Sequence, residues 1–426
     1  MKKKKETVGV VGLGYVGLPL AVRAKERGYN VIGFERTKEK AELINGSTTP
    51  PIKDKYLEEK MPDYPIEATT DTSRIKECDI VLICVPTPVD ELYNPDIRPV
   101  ESASRTISKN LKKGALVVLE STVNPGVSEE IIKPIFEADG HEIGKDVFIA
   151  HCPERINPGD PKWDVTNLPR VVGAFTKKGT EKAVKFYENI IDAEIKPMKS
   201  IREAEACKIV ENSFRDINIA FVNELAKSFD RMGIDIKNVI DGASSKFSFM
   251  PHYPSRGIGG HCIPVDPYYL IKRAKQAGFD HKFLRMSRDI NNSMPIYTVE
   301  LLQDCLNEAK LPLNGTKVGL LGVAYKPNVD DDRESPYYKI AAELRNHKAD
   351  ILTYDPYIMK RSNVESLEKL LEKSEAIILV TNHKDFDVID GKMLKKYNIK
   401  VVVDGVNSMD KEDIKANGII YKGIGR

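Results

Sequence analysis

Hydrophobic positions in the first part of the chain come in short, nearly unbroken runs set between longer mixed stretches. "TVGVVGLG" (7–14), "NVIGFE", "CDIVLICVPTP" and "GALVVLEST" are apolar, rich in β-branched residues, and spaced by polar loops. Between the first two, "LPLAVRAKERG" reads as a helix stopped by Gly28. Strands without polar alternation, separated by helices, predict a parallel sheet covered on both faces. The expectation is a doubly wound domain over residues 1–199. From Ser200 the pattern changes. "SIREAEACKIVENSFRDINIAFVNELAKSFDRMG" keeps a helical period with no Pro or Gly before Gly233. At ~1.5 Å per residue it predicts a helix about 50 Å long. Such a helix, in a segment spanning 200–300, is expected to bridge two sheet domains and to supply an interface between copies of the chain.

The last region, 301–426, repeats the first. "KVGLLGVAY" (317–325) matches "TVGVVGLGY" (7–15), "SEAIILVT" matches "CDIVLICV", and "IKVVVDGV" matches "ALVVLEST". A repeat at this scale predicts a second doubly wound unit, not a solenoid. The copies diverge at one place. The first has Gly12, Gly14 and Gly17; the second keeps Gly322 but has Ala324 and Pro327 at the other two positions, and carries Lys326. The predicted fold class is α/β, with two doubly wound, Rossmann-like domains joined by a central helical segment containing a long helix.

Composition narrows the partners. With 65 Lys and Arg against 63 Asp and Glu, net charge is +2, which favours neither nucleic acid nor a membrane surface. No apolar run approaches the roughly 18 residues of a membrane span. The basic start, Lys2 to Lys5, lacks an apolar segment behind it and reads as a solvated terminus. Six dispersed cysteines without a C-x-x-C pair form neither a disulfide framework nor a zinc site; most are expected to be buried small hydrophobes in a reducing cytoplasm. No metal site is expected.

Two stretches carry candidate chemistry. "GLGYVG" follows a strand and opens a helix, the context of a dinucleotide-binding turn: Gly12 for the turn, Gly14 for backbone approach to a pyrophosphate, Gly17 for helix–strand packing, with Tyr15 and Val16 between. Glu35 ends the next strand, where a carboxylate accepts a ribose 2′-hydroxyl and repels a 2′-phosphate, so NAD is the expected cofactor; Arg36 beside it would instead attract a phosphate. The alternative is a sheet domain with an unused glycine turn. The second stretch, "SRGIGGHCIPVDPYY" (255–269), sets Ser255, Gly257, Gly259 and Gly260 before Cys262, with His261 beside the thiol and Asp266 after it. Cys262 is either a nucleophile or a small side chain buried in a tight turn. Lys208 and Asn212 share a helix face one turn apart, either lining a cleft or forming a solvated stripe. In "CPERINPGD", Glu154 and Arg155 read alternatively as site residues or as a surface ion pair with each other.

Taken in order, "GLGYVGLPLA", "CVPTP", "ESTVNPG", "CPERINPGD", "EACKIVENSFRDINIAFVNE", "GIGGHCIPVDPYYL" and "GVAYKPNVDDDRESP" resemble the UDP-glucose/GDP-mannose dehydrogenase family over essentially the whole chain. The "GGHC-x-P-x-DP" form looks like the branch acting on UDP-N-acetylhexosamines (GlcNAc or ManNAc); UDP-glucose is the alternative. The resemblance implies oxidation of the sugar C6 alcohol to a carboxylate with two NAD⁺, through a Cys262 thiohemiacetal and thioester. It implies catalytic or supporting roles for Lys208, Asn212, Asp266, Glu154 and Thr122. Cofactor contacts extend to Pro86, Thr87, Thr122 and Arg333. Substrate contacts fall to Glu154, Arg155, Lys208, Asn212, Ser255, Gly257, Gly259, Tyr325 and Lys326, with Lys246 serving a neighbouring subunit. The loop glycines would let the sugar lie against the backbone. The family's "D-x-R-N" arginine is absent: "DGVN" places Val406 there. A homodimer or higher homo-oligomer is expected from the long central helix. A binding-only nucleotide-sugar sensor is the reading from another class; Cys262, Lys208 and Asp266 together argue against it.

Overall fold

The computed structural model describes residues 5–45, 49–52, 54–90, 95–155, 162–260 and 262–426. It forms two compact units, Met1–Glu211 with Tyr268–Ala277, and Asn212–Pro267 with Gly278–Arg426. The middle segment is therefore shared between them. The long helix is continuous, Ile201–Met232, and stops before Gly233 at φ +69°. Its ends bury apolar side chains in different cores: Ile201 in the first unit, Val222 and Ala226 in the second.

The first unit holds an eight-stranded sheet: β1 (Thr7–Val11), β2 (Asn30–Phe34), β3 (Glu67–Thr69), β4 (Ile80–Ile83), β5 (Ala115–Leu119), β6 (Val147–His151), β7 (Arg170–Ala174) and β8 (Ile195–Pro197), in the order 3-2-1-4-5-6-7-8. Neighbours are parallel except β6 and β7. Val8 lies between Val31 and Ile80, so the order turns back at β1. β4, β5 and β6 are buried along their whole length, as their unalternating sequences require. The second unit holds β9 (Lys317–Leu321), β10 (Asp350–Tyr354), β11 (Ala376–Leu379), β12 (Val401–Asp404) and β13 (Ile420–Gly423), all parallel, in the order 10-9-11-12-13. This order turns back at β9, the counterpart of β1. In open α/β sheets ligands sit beyond the carboxyl ends of the strands at such a turning point.

The repeat is visible residue by residue. Gly12 and Gly322 follow β1 and β9 with φ +93° and +92°. A Cβ on Gly12 would stand 2.7 Å from the Cys84 carbonyl oxygen, and one on Gly322 would stand 2.6 Å from Thr381 Cβ. Both the dihedral and the space exclude a side chain.

The copies diverge just beyond. In the first, a helix starts at once, at Gly17. In the second, the helix Pro336–Asn346 starts only after a loop over 322–335. Asp355, which follows β10 as Glu35 follows β2, is fully buried and turned onto that loop. Its Oδ2 accepts from the Val323 and Ala324 amides at 2.6 and 2.9 Å, with His383 Nε2 at 3.1 Å, while Oδ1 accepts from Tyr357 and Ile358 at 2.8 and 3.0 Å. Burial alone would raise its pKa, but the bonds from His383 and the two loop amides outweigh it and hold the carboxyl at about 2.

A carboxyl held down in the folded state contributes stability that is complete above the unfolded value near 4 and is lost as pH falls through about 2. The difference corresponds to about 2 kcal/mol. Urea unfolding at pH 5 and pH 3 is expected to show Asp355→Asn less stable than wild type at pH 5, with the gap narrowing by about 1 kcal/mol at pH 3. A gap independent of pH would contradict this.

Candidate functional site

The glycine turn of the first unit has the exposed backbone a dinucleotide needs. Nothing lies within 4 Å of where a Gly14 Cβ would stand, whereas a Gly17 Cβ would meet the Gly12 oxygen at 1.9 Å. Gly14 thus leaves bare backbone outward, and Gly17 lets the helix start tight against the strand. Glu35 is half-buried at the end of β2, and its Oε1 accepts from the Leu13 amide at 2.8 Å. One carboxylate oxygen therefore fixes the acid beside the turn. Arg36, Tyr15 and Pro86 are exposed, Val16 and Thr122 half-buried, and Thr87 buried, with its carbonyl accepting from Tyr269 Oη at 2.8 Å. These residues fit NAD: a bare turn for the pyrophosphate and an acid for the ribose hydroxyls. NAD, when bound, supplies a hydride acceptor.

Glu154 follows β6 and is almost wholly buried. The expected surface pair with Arg155 does not form. Glu154 Oε2 instead meets Arg170 Nη1 at 2.9 Å, and Oε1 accepts the Arg155 amide at 2.5 Å. The Arg155 guanidinium goes to Glu211, with Nη2 at 2.8 Å from Oε1, and to the Pro169 carbonyl at 2.9 Å. The reason is burial. Arg170 enters a fully buried strand and must find anions inside, so it takes Glu154 and also Glu120, 3.5 Å away at the end of β5. Tyr187 Oη donates to Glu120. Burial pushes the Glu120 carboxyl up to about 8, against the pull of Arg170; Glu154 adds to the rise. Sequence reading passed over Glu120, Arg170 and Tyr187. The available signal was the charge itself, a Glu closing "ALVVLE" and an Arg opening "RVVGA", single ionic residues at the ends of wholly apolar runs.

Lys208 is buried and Asn212 half-buried, so the two do not form a solvated stripe. A turn earlier, buried Glu205 accepts from the Gly126 and Ser128 amides at 2.6 and 2.9 Å and ties the loop after "ESTV" to the long helix.

In the second unit, Cys262 is exposed, which removes the reading of a sulfur buried in a turn; all six cysteines are thiols. Cys78, Cys84, Cys152 and Cys305 are buried, as small hydrophobes are expected to be. The Cys262 carbonyl accepts from the Val265 and Asp266 amides at 3.0 and 2.8 Å, which opens the helix beginning at Asp266. The Asp266 carboxylate is buried and accepts from Asn212 Nδ2 at 2.5 Å. Cys262, Asp266 and Asn212 are thus held in one cluster. His261 lies outside the described residues.

The loop glycines admit neighbouring protein at close range. Cβ atoms on Gly259 and Gly260 would stand 2.7 Å from Tyr325 Cβ and 2.8 Å from its ring; one on Gly257, at φ +118°, would stand 3.2 Å from Pro295. The bare backbone admits Tyr325 and the helix Lys282–Glu308, and the Gly260 amide donates to the Arg333 carbonyl at 3.0 Å. Behind the loop runs a buried polar chain. The Ser255 amide donates to Asn223 Oδ1 at 2.9 Å, Asn223 Nδ2 to Asn291 Oδ1 at 2.9 Å, and Asn291 Nδ2 to Asp216 Oδ1 at 2.8 Å, where Arg288 also binds. Lys326 is half-buried and Lys246 exposed; the exposed Arg333 side chain forks onto Asp331, with Nη2 at 2.6 Å from Oδ2. Val406 is half-buried, its amide bonded to Asp404 Oδ1 at 3.1 Å. No group of metal-ligating side chains occurs among the described residues.

Three family models match successive parts of the chain: the NAD-binding domain of the UDP-glucose/GDP-mannose dehydrogenase family over residues 6–191, its central domain over 202–293 and its UDP-binding domain over 319–411. A UDP-N-acetyl-D-mannosamine dehydrogenase of Pyrococcus horikoshii is 34% identical over 98% of this chain and 99% of its own. A UDP-N-acetyl-D-glucosamine 6-dehydrogenase of Pseudomonas aeruginosa is 35% identical, with 96% and 99% covered. A solved structure of the UDP-D-ManNAc dehydrogenase from Pyrococcus horikoshii superposes with a TM-score of 0.92 at 33% identity, covering 99% of both chains. With the glycine turn, the acid at Glu35 and the second doubly wound sheet in place, the chain belongs to the UDP-glucose/GDP-mannose dehydrogenase family and is an NAD-dependent nucleotide-sugar dehydrogenase.

Proposed function

We propose that the protein oxidises C6 of a UDP-N-acetylhexosamine, the gluco or manno epimer, from alcohol to carboxylate at the expense of two NAD⁺, supplying an acidic sugar for polysaccharide or glycan assembly. The observation that carries this reading is the Cys262–Asp266–Asn212 cluster: an exposed thiol whose turn is closed by the backbone amide of Asp266, while the buried Asp266 carboxylate accepts from the Asn212 side-chain amide. Relatives named for UDP-N-acetylmannosamine and UDP-N-acetylglucosamine support the choice of sugar over UDP-glucose.

The chain's own residues take the following parts. Cys262 Sγ, as thiolate, adds to the C6 aldehyde; the new C–S bond places the negative charge on oxygen. Lys208 and Asn212 donate to that oxyanion, and Asp266 accepts the proton that Cys262 gives up in becoming the thiolate. The adduct yields hydride more readily than the aldehyde does, and its loss leaves a thioester. Glu154, held by Arg170 and with Thr122 beside it in role, orients the water that cleaves the C–S bond, releases the acid and returns the thiol. Keeping the aldehyde covalent prevents its escape. The enzyme acts in the cytoplasm, where the thiol stays reduced; no helix among the described residues is long and apolar enough to cross a membrane.

The working unit is a homodimer or larger homo-oligomer, with Lys246 serving a neighbouring copy. Phe214 and Phe221 stand on one stripe of the long helix and are 46% and 53% exposed, and Phe283 and Met286 of the same unit are also exposed. Large side chains left in water in this number mark an interface.

Three measurements test these statements. Incubating UDP-GlcNAc, UDP-ManNAc and UDP-glucose separately with NAD⁺ is expected to give about two NADH per acid from an N-acetylhexosamine by absorbance and mass detection. Turnover of UDP-glucose alone would reject the substrate. Cys262→Ser is expected to lower net acid formation at least about a thousandfold; acid made at the wild-type rate would end the covalent scheme. In light scattering, wild type is expected at twice or more its 47.8 kDa chain mass, and Phe214→Glu with Phe221→Glu at a lower assembly state.

A further inference from the structure

The carboxyl ends of β9, β11 and β12, where the second sheet's order turns back, are occupied by one side chain from outside the sheet, Arg256. Its amide donates to the Gly405 carbonyl at 2.7 Å. Its Nη2 donates to the Tyr325 carbonyl at 3.1 Å and to Thr381 Oγ1 at 3.3 Å. Thr381 Oγ1 in turn donates to the Ala324 carbonyl at 2.5 Å, which leaves a lone pair aimed at the guanidinium. Gly405 is bare because a Cβ there would stand 3.1 Å from Arg256 Cβ.

Arg256 is 8% exposed. Only neutral oxygens reach it among the described residues, no acceptor reaches Nε, and burial, which lowers its pKa to about 10, is the only influence on its proton. Arg170 and Arg288, buried as deeply, each take carboxylates. A buried cation without an anion is costly, and a site that keeps one is built for an anion that arrives.

The neighbouring turn shows why a side chain is needed. A dinucleotide turn meets phosphates with backbone amides at a helix start. Here the Val323 and Ala324 amides are already taken by Asp355, and the helix starts only at Pro336. The positive charge at this sheet end therefore comes from a side chain.

We propose that Arg256 is the residue through which the second unit holds the diphosphate of its nucleotide sugar, with Thr381 orienting the guanidinium. The proposal rests on the reading of a UDP-sugar substrate. Titration calorimetry of the full-length protein with UDP and with uridine tests it, since the two differ only in the diphosphate. Wild type is expected to bind UDP far more tightly than uridine. Arg256→Gln is expected to weaken UDP on the order of 10- to 100-fold while uridine changes less than about twofold, and Arg256→Lys to keep much of the difference. Equal weakening of both ligands, or unchanged UDP affinity, overturns the assignment. Should Arg256→Gln not fold, Thr381→Val decides: UDP weaker by about 3- to 10-fold with uridine unmoved supports it, and unchanged UDP affinity overturns it. Wild type binding UDP no better than uridine overturns the substrate reading itself, a result distinct from either variant outcome.

Discussion

The contact on which the position of the Cys262 loop depends is backbone against Tyr325, at Gly259 and Gly260. Cys262 stands two residues beyond Gly260. Its position is set by how closely the preceding backbone approaches the sheet, and that approach is too close for any side chain. Arg256, the Gly260 amide and the Ser255 amide tie the same loop to Gly405, to Arg333 and, through Asn223 and Asn291, to the long helix. The nucleophilic role proposed for Cys262 would need this restraint, because misplacement of a reacting atom by about an ångström costs orders of magnitude in rate. The restraint is built from glycine, buried amides and hydrogen bonds to main chain, and it leaves the thiol itself exposed.

The two sheets show what one architecture becomes under different demands. Both keep a glycine in the left-handed region after the first strand and an acid after the second. In the first unit the acid is a glutamate, half-exposed, bonded through one oxygen to one amide. In the second it is an aspartate one methylene shorter, fully buried, bonded to two amides of the turn and to His383. The shorter side chain closes the turn that the longer one leaves open. The absence of the second and third glycines in this copy follows: a turn bound by its own carboxylate has no need of backbone bared to a phosphate.

Buried ion pairs carry the first unit's site in the same spirit. Arg170 lies between Glu120 and Glu154, and the orientation of Glu154 is inseparable from it. Burial pushes the Glu120 carboxyl pKa up, with Glu154 acting the same way and Arg170 pulling against both. Arg155 and Glu154, neighbours in the chain, part company because the buried Arg170 takes Glu154.

Periodicity alone determined the element types: unalternating strands require a covered parallel sheet, and a helical stretch without Gly or Pro runs on until Gly233. Local motifs determined the glycine turn and its acid, because the dihedral and the close approach are demanded within a few residues. The whole-chain likeness supplied the reaction. Tertiary structure decided what depends on residues far apart in sequence. It turned the loop glycines toward Tyr325, sent Arg155 to Glu211, paired Asn212 with Asp266, and brought Arg256 to the ends of three strands numbered more than sixty residues later. A sequence shows which groups carry charge or lack a side chain; which partner each one finds is settled only when folding buries polar groups from distant parts of the chain side by side.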